Sequence, residues 1–142
     1  MIEMDLRTRV LVVDDTPTMR LIVTGMLEEL GFEAVAQAED AEVAWEMLQA
    51  SADGADRFGL VLADWNMPGM SGVELLRSIR AHSTLGGLPF VMMTSRNDQA
   101  HIAEAMKSGA SSYLVKPFGP VELRERIEQT LAPHRSMPPS RP

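Results

Sequence analysis

Three carboxylates, a hydroxyl and an amine stand where they can act together: Asp14 and Asp15, Asp64, Thr94 and Lys116. Each follows a short, wholly apolar run. Val10-Leu11-Val12-Val13 leads into Asp14-Asp15, and Leu60-Val61-Leu62-Ala63 into Asp64. Phe90-Val91-Met92-Met93 leads into Thr94-Ser95, and Tyr113-Leu114-Val115 into Lys116-Pro117. Crowded carboxylates repel one another and take up a proton unless a cation is present. A hard divalent ion relieves that repulsion, and a few carboxylate oxygens with room for water suit Mg2+. A phosphoryl group brought there meets the metal on one side, the Lys116 ammonium at a second oxygen and the Thr94 hydroxyl at a third. Positioning and charge neutralisation of this kind carry most of the catalysis of phosphoryl transfer. Neither G-x-G-x-x-G nor G-x-x-x-x-G-K-[ST] occurs, so the sequence offers no glycine-rich loop for a nucleotide. One carboxylate then serves as the nucleophile and carries the phosphoryl group covalently.

Taken singly, each residue has a plainer reading. Asp14 or Asp15, before Thr16-Pro17, suits a helix cap. Asp64 suits a turn before Asn66 and Pro68, and Thr94 a strand end. Lys116 suits a surface lysine before a proline-restricted turn. Together the plainer readings weaken, because four separate strands end in mutually complementary groups.

The elements that must position these groups alternate. The apolar runs suit strands buried on both faces of a parallel sheet, and Phe32 to Ala36, interrupted by Glu33, reads as an edge strand. Met19, Ile22, Val23, Met26, Leu27 and Leu30 follow helical spacing between Pro17 and Gly31. Ala44, Met47 and Leu48 mark a second helix. The capping box Ser71-Gly72-Val73-Glu74 opens a third, with Leu75, Leu76 and Ile79 inward. Ile102, Ala105 and Met106 mark a fourth that Gly109 ends, and Pro120 opens a fifth with Leu123, Ile127 and Leu131 inside. Ser51 to Gly59 reads as a polar loop. Five βα units with right-handed crossovers give an α/β doubly wound parallel sheet. Function in such sheets gathers at the carboxyl ends of the strands.

Composition bounds the rest. A chain of 142 residues is one ordinary domain. With 45% hydrophobic and 23% charged residues it is globular, not disordered. A net charge of -7 argues against nonspecific nucleic-acid binding. Cysteine is absent, which excludes disulfides and thiolate metal sites. No apolar stretch approaches the ~20 residues of a membrane span, and Met1 to Asp5 has no signal-peptide pattern. The expectation is a cytoplasmic protein with neither nucleic acid nor membrane as partner. Residues 1–8 read as an N-terminal extension, 9–132 as the domain, and 133–142 as a disordered proline-rich tail. His82, His101 and His134 are scattered and suggest no metal cluster or relay site, and most methionines read as core filler.

Six segments share the order and spacing of one family: Val13-Asp14-Asp15, Thr18-Met19-Arg20, Leu30-Gly31-Phe32, Asp64-Trp65-Asn66-Met67-Pro68, Ser108-Gly109-Ala110 and Lys116-Pro117-Phe118. They resemble the receiver domains of bacterial two-component response regulators, above all the stand-alone, CheY-like chemotaxis members, from Arg9 to Leu131. The resemblance implies a (βα)5 flavodoxin-like fold with strand order 2-1-3-4-5. It implies Asp64 as phosphoacceptor and Asp15 and Asp64 as Mg2+ ligands. Asn66 would add its backbone carbonyl, and Asp14 would act through a metal-bound water. Thr94 and Lys116 would contact the phosphoryl group, and Thr94 with Tyr113 would form the switch. The Lys116-Pro117 bond is often cis in such domains. Arg96 stands where the best-known chemotaxis members carry an acid. With Asn66 it flanks the path of attacking water, so it is expected to tune autodephosphorylation, by shielding the phosphoryl group or by orienting water.

The implied mechanism is a switch. Phosphorylation adds ~1.5–2 negative charges, draws Thr94 and Lys116 inward, and lets Tyr113 fill the vacated space. The surface of the fourth helix, fifth strand and fifth helix changes. A histidine kinase (CheA-like) or a phosphotransfer protein would donate the phosphoryl group, and a target such as a flagellar motor switch would read the result. A phosphatase is a further candidate partner. A phosphate shuttle or sink, or a stress or cell-cycle regulator, is the variant reading. In each case the protein catalyses only its own phosphorylation and dephosphorylation. A haloacid-dehalogenase-type phosphohydrolase would need a second Asp two residues after the nucleophile, where Asn66 stands, and an acidic pair late in the chain, whereas Asp14-Asp15 comes first. A flavodoxin-like cofactor binder would need a phosphate loop after the first strand, where Asp14-Asp15 repels phosphate.

Overall fold

The computed structural model describes residues 5–131. Five strands alternate with five helices: β1 (Arg9–Val13), α1 (Pro17–Leu30), β2 (Ala34–Ala38), α2 (Ala41–Ser51), β3 (Leu60–Asp64), α3 (Gly72–Ala81), β4 (Phe90–Thr94), α4 (Gln99–Lys107), β5 (Ser112–Val115) and α5 (Pro120–Leu131). The strands form one parallel sheet in the order β2-β1-β3-β4-β5. Register brings the strand ends level. Val13 pairs with Ala63, so Asp14 and Asp64 follow side by side. Asp64 pairs with Met93 and Thr94 with Val115, so Lys116 emerges next to Thr94.

The wholly apolar runs are explained by helices on both faces. Val10, Val12, Leu60 and Leu62 pack on one side with Val23 and Leu27 of α1 and with Leu123 and Ile127 of α5. Leu11, Val13 and Val61 pack on the other with Leu48 of α2 and with Leu75, Leu76 and Ile79 of α3. Every second strand residue faces each layer, so neither face tolerates a polar side chain.

Four local readings are corrected. The edge strand β2 is Ala34–Ala38, not Phe32 to Ala36. Gly31, at φ 106°, ends α1 in the left-handed conformation, and the Phe32 N–H bonds back to the Leu27 carbonyl at 3.1 Å. Phe32 is thus the apolar closing residue of a Schellman turn, buried against the α1 side of the core. In α4 the inward residues are His101 and Ala105, while Met106 is 43% exposed and Ile102 only half-buried. In α1, Val23, Thr24 and Leu27 face inward, and Ile22 is 46% exposed. The loop before β3 is also less polar than its composition: Ala52 and Phe58 are buried, with the Arg9 guanidinium 4.2 Å over the Phe58 ring. The expected tail, 133–142, lies outside the described residues. Of the expected extension 1–8, residues 5–8 are described, and Leu6 packs against the α1–α5 layer.

The crossover after α3 hangs on Arg80. Its Nε donates to the Gly109 carbonyl at 2.9 Å, and its Nη1 donates to the Gly86 and Leu88 carbonyls at 3.0 and 2.7 Å. The side chain is partly buried, and desolvation lowers its pKa. Arg80→Met keeps the aliphatic stem and removes every donor. It should cost about 2 kcal/mol, because charge-assisted bonds are lost and carbonyls are left without partners. Urea unfolding should show a lower midpoint with an unchanged slope.

Candidate functional site

Asp14 leaves β1 with its side chain fully buried. Its Oδ1 accepts the Thr16 N–H at 2.9 Å, and its backbone carbonyl accepts from Arg20 Nη1 at 2.7 Å. Arg20 also donates through Nε to Gln37 Oε1 at 3.2 Å, which ties the β1–α1 turn to β2. Asp15, the next residue, is exposed. Asp64 ends β3 and is 9% exposed. The Lys116 ammonium bridges the two strands, donating to Asp14 Oδ2 at 3.2 Å and to Asp64 Oδ1 at 3.1 Å. Lys116 is itself fixed by its N–H on the Thr94 carbonyl at 2.7 Å and precedes a cis bond to Pro117. One oxygen from each of Asp14, Asp15 and Asp64 lies within 4.8 Å of the other two.

The charges do not balance. Burial raises the Asp64 pKa; Lys116 opposes this, and the Asp14 and Asp15 charges add to the rise. Burial alone would lower the Lys116 pKa, but the Asp64 and Asp14 carboxylates outweigh it and hold the ammonium protonated. Three carboxylates therefore share one cation, and the cluster is short of positive charge. An all-oxygen donor set with an exposed member fits a hard divalent ion.

That shortage predicts a pH-dependent stability. A group whose pKa is raised on folding contributes stability below its unfolded value, here the ordinary 3.8, and loses it as pH rises through the folded pKa. Asp64→Asn does not titrate. Without divalent ions the variant should therefore melt above the wild type at neutral pH. The gap should close as pH falls to about 4, and saturating divalent ion should stabilise the wild type more than the variant. Thermal melts across that range, with and without chelator, read both effects.

Thr94 ends β4 and is buried. Its Oγ1 accepts the Arg96 N–H at 3.1 Å and pairs with His101 Nε2 at 3.0 Å. The Arg96 guanidinium is held in a two-pronged pair with Asp98, at 3.0 and 3.1 Å. Asp98 in turn caps α4 through the His101 N–H. Tyr113 lies half-buried on β5 and lines a shallow groove with Gln99, Ile102 and Ala103 of α4. Its carbonyl accepts from Arg126 Nε at 2.9 Å. Asn66 is exposed on the loop after β3.

The structure thus gathers Asp14, Asp15, Asp64 and Lys116 into one cluster. Thr94 lies beside it on the neighbouring strand, Asn66 and Arg96 stand on the flanking loops, and Tyr113 lies at the groove. Sequence reasoning missed His101. Its only signal was its place four residues before Ala105, on the face that turned out to be inward.

The response regulator receiver domain family matches residues 10–128. The chemotaxis protein CheY1 of Helicobacter pylori is 41% identical over 123 residues, 87% of this chain and 96% of that protein. The chemotaxis protein CheY of Pseudomonas aeruginosa is 41% identical over 121 residues, 85% of this chain and 94% of that one. Among solved structures, the Vibrio cholerae chemotaxis protein CheY4 superposes with a TM-score of 0.79 at 31% identity, covering 87% of this chain and 98% of its own. A 2-1-3-4-5 sheet carrying an acidic cluster and a bridging lysine at its carboxyl rim, and a family match over most of the chain, lead to one assignment: this protein belongs to the response regulator receiver domains.

Proposed function

We propose that this receiver is a chemotaxis response regulator that takes a phosphoryl group onto Asp64 from a histidine kinase of the CheA kind. The observation that carries the reading is the Lys116 ammonium bridging Asp14 and Asp64 beside Asp15. The Asp64 carboxylate attacks phosphorus, a P–O bond forms, the P–N bond to the donor histidine breaks, and that nitrogen ends up protonated by solvent. Lys116 neutralises charge on one phosphoryl oxygen, and the Thr94 hydroxyl donates a hydrogen bond to another. Asp15, Asp64 and the Asn66 backbone carbonyl would hold Mg2+, with Asp14 reaching it through water. When bound, Mg2+ supplies the positive charge that the three carboxylates lack. In the hydrolytic step that follows, water attacks phosphorus, the P–O bond to Asp64 breaks, the carboxylate is regenerated and inorganic phosphate leaves with both protons of the water.

Arg96 sets the rate of that hydrolysis together with Asn66, and the Asp98 pair fixes where its guanidinium sits. Output is by contact. The groove between α4 and Tyr113 is the surface that a target such as a flagellar motor switch would read. The three relatives named above are chemotaxis proteins, and this supports the pathway. No helix among the described residues is long and apolar enough to cross a membrane, and a cytoplasmic exchange between kinase and target fits that.

Trp65 follows Asp64 directly and makes the test simple. Adding Mg2+ and then beryllofluoride, an acyl-phosphate mimic, should give a saturable change in Trp fluorescence and enable binding to a motor-switch protein. A folded wild type that gives no response to beryllofluoride would overturn the phosphoacceptor reading. A response without motor-switch binding would overturn the chemotaxis output.

A further inference from the structure

His101 is a histidine in the core for which the phosphoacceptor scheme has no use. It is 7% exposed on the first turn of α4. Its ring stacks on Trp65, with centroids 3.6 Å apart and planes 25° from parallel. Its Nε2 lies 3.0 Å from Thr94 Oγ1. Asp64, Trp65, His101 and Thr94 therefore form a closed circuit: a covalent bond, a ring stack, a hydrogen bond and neighbouring strands. Among the described residues the Thr94 hydroxyl has two hydrogen-bond partners, His101 Nε2 and the Arg96 N–H, and neither belongs to the acidic cluster.

We infer that His101 is a positioning residue that holds the Thr94 hydroxyl on α4 and so sets how readily the domain switches. The inference rests on the reading of Asp64 as phosphoacceptor and of Thr94 as a phosphoryl contact. A hydroxyl has one hydrogen and two lone pairs, so its geometry toward a new acceptor is limited by the bonds it already makes. The Thr94 oxygen already accepts the Arg96 N–H. With the His101 proton on Nδ1, the Thr94 hydrogen is donated to Nε2, and turning it toward a phosphoryl oxygen on Asp64 breaks that bond. The resting state is stabilised by that bond and the switched state is not, which is the differential stabilisation a two-state element requires. Burial and the Arg96 charge lower the His101 pKa and keep the imidazole neutral, so it adds no charge of its own beside the phosphoryl site.

The same bond gives the signal a route outward. His101 belongs to the turn of α4 that begins at Gln99, and Gln99, Ile102 and Ala103 line the groove with Tyr113. Releasing Thr94 removes a buried polar anchor from that turn. His101 and Trp65 then pack as apolar surfaces alone, and α4 can shift against β5. The device is a restraint: removing it should make switching easier, not harder.

Two substitutions separate the bond from the packing. His101→Phe keeps a ring on Trp65 and lacks Nε2. His101→Gln loses the ring and keeps a polar atom at about the reach of Nε2. Beryllofluoride affinity is measured by titration calorimetry at saturating Mg2+, because both variants alter the fluorescence of Trp65 at rest. His101→Phe should bind about three- to tenfold more tightly, the range of one net neutral hydrogen bond. His101→Gln should return toward the wild-type value. In a Thr94→Ala background the effect of His101→Phe should vanish, since a residue acting through Thr94 cannot act without it. In the wild type, the ring nitrogen resonances of His101 should shift when beryllofluoride saturates. Equal or weaker binding by His101→Phe, in a protein whose urea unfolding shows it folded, overturns the inference. So does an undiminished effect in the Thr94→Ala background. A wild type that does not bind beryllofluoride at all instead removes the phosphoacceptor reading on which this rests.

Discussion

Asp64→Asn is expected to abolish covalent phosphorylation by a small acyl phosphate, with a fall in rate of about a thousandfold or more, as for loss of an enzymic nucleophile. The argument lies in how the other two carboxylates are placed. Asp14 is fully buried, its Oδ1 taken by the Thr16 N–H and its Oδ2 by Lys116. Neither oxygen is open to an incoming phosphorus atom. Asp15 is exposed but lacks the ammonium: Lys116 touches Asp14 and Asp64, and no contact joins it to Asp15 among the described residues. Asp64 alone combines partial exposure with an oxygen against Lys116. Its amide in the variant is the same size and carries no nucleophilic charge. The intact mass after reaction with acetyl phosphate and Mg2+ should rise by one phosphoryl group in the wild type and stay unchanged in Asp64→Asn. Equal labelling of the variant would move the acceptor to Asp15 and break the assignment of roles.

Much of this was legible in the chain because the relevant signals are local. An apolar run followed at once by a charged residue is a buried parallel strand and its carboxyl end, and register then brings Asp14, Asp64, Thr94 and Lys116 to one rim. The capping box at Ser71 reads directly from residue types, and both of its hydrogen bonds are present. What was not legible depends on how a helix rotates about its own axis. In α4 the apolar spacing of Ile102, Ala105 and Met106 points one way, yet the helix turns so that His101 and Ala105 go inward. Tertiary partners decide this: the Thr94 hydroxyl and the Trp65 ring make a buried site for imidazole that a methionine would leave unsatisfied. Arg80 was missed for a related reason. Its partners are carbonyls of Gly86, Leu88 and Gly109, and backbone acceptors leave no mark in side-chain pattern. Phe32 misled in the other direction, since a residue closing a helix by a Schellman turn looks like the first residue of the strand that follows.

Gly72→Ala is expected to destabilise the fold by about 3 kcal/mol, although helix propensity alone favours alanine over glycine by up to ~1 kcal/mol. Gly72 opens α3, and its N–H bonds the Trp65 carbonyl at 2.9 Å. A Cβ there would lie 2.3 Å from the Asp64 carbonyl oxygen and 3.0 Å from the Trp65 Cα. Both are backbone atoms, so no rotamer change relieves the overlap. Either α3 slides away, opening the packing of Val73, Leu75, Leu76 and Ile79, or the end of β3 moves and carries Asp64 with it. Steric overlap therefore wins over propensity, and Mg2+ affinity should fall along with stability. Gly25, in the middle of α1, provides the opposite case, because a Cβ there meets no heavy atom within 4 Å. Gly25→Ala should stabilise by about 0.5–1 kcal/mol through propensity and the reduced entropy of the unfolded chain. The same substitution at two helical glycines should thus move the urea midpoint in opposite directions. If both variants were stabilised, the close approach of α3 to the end of β3 would be wrong, and with it the account of how the fold fixes Asp64 at the rim.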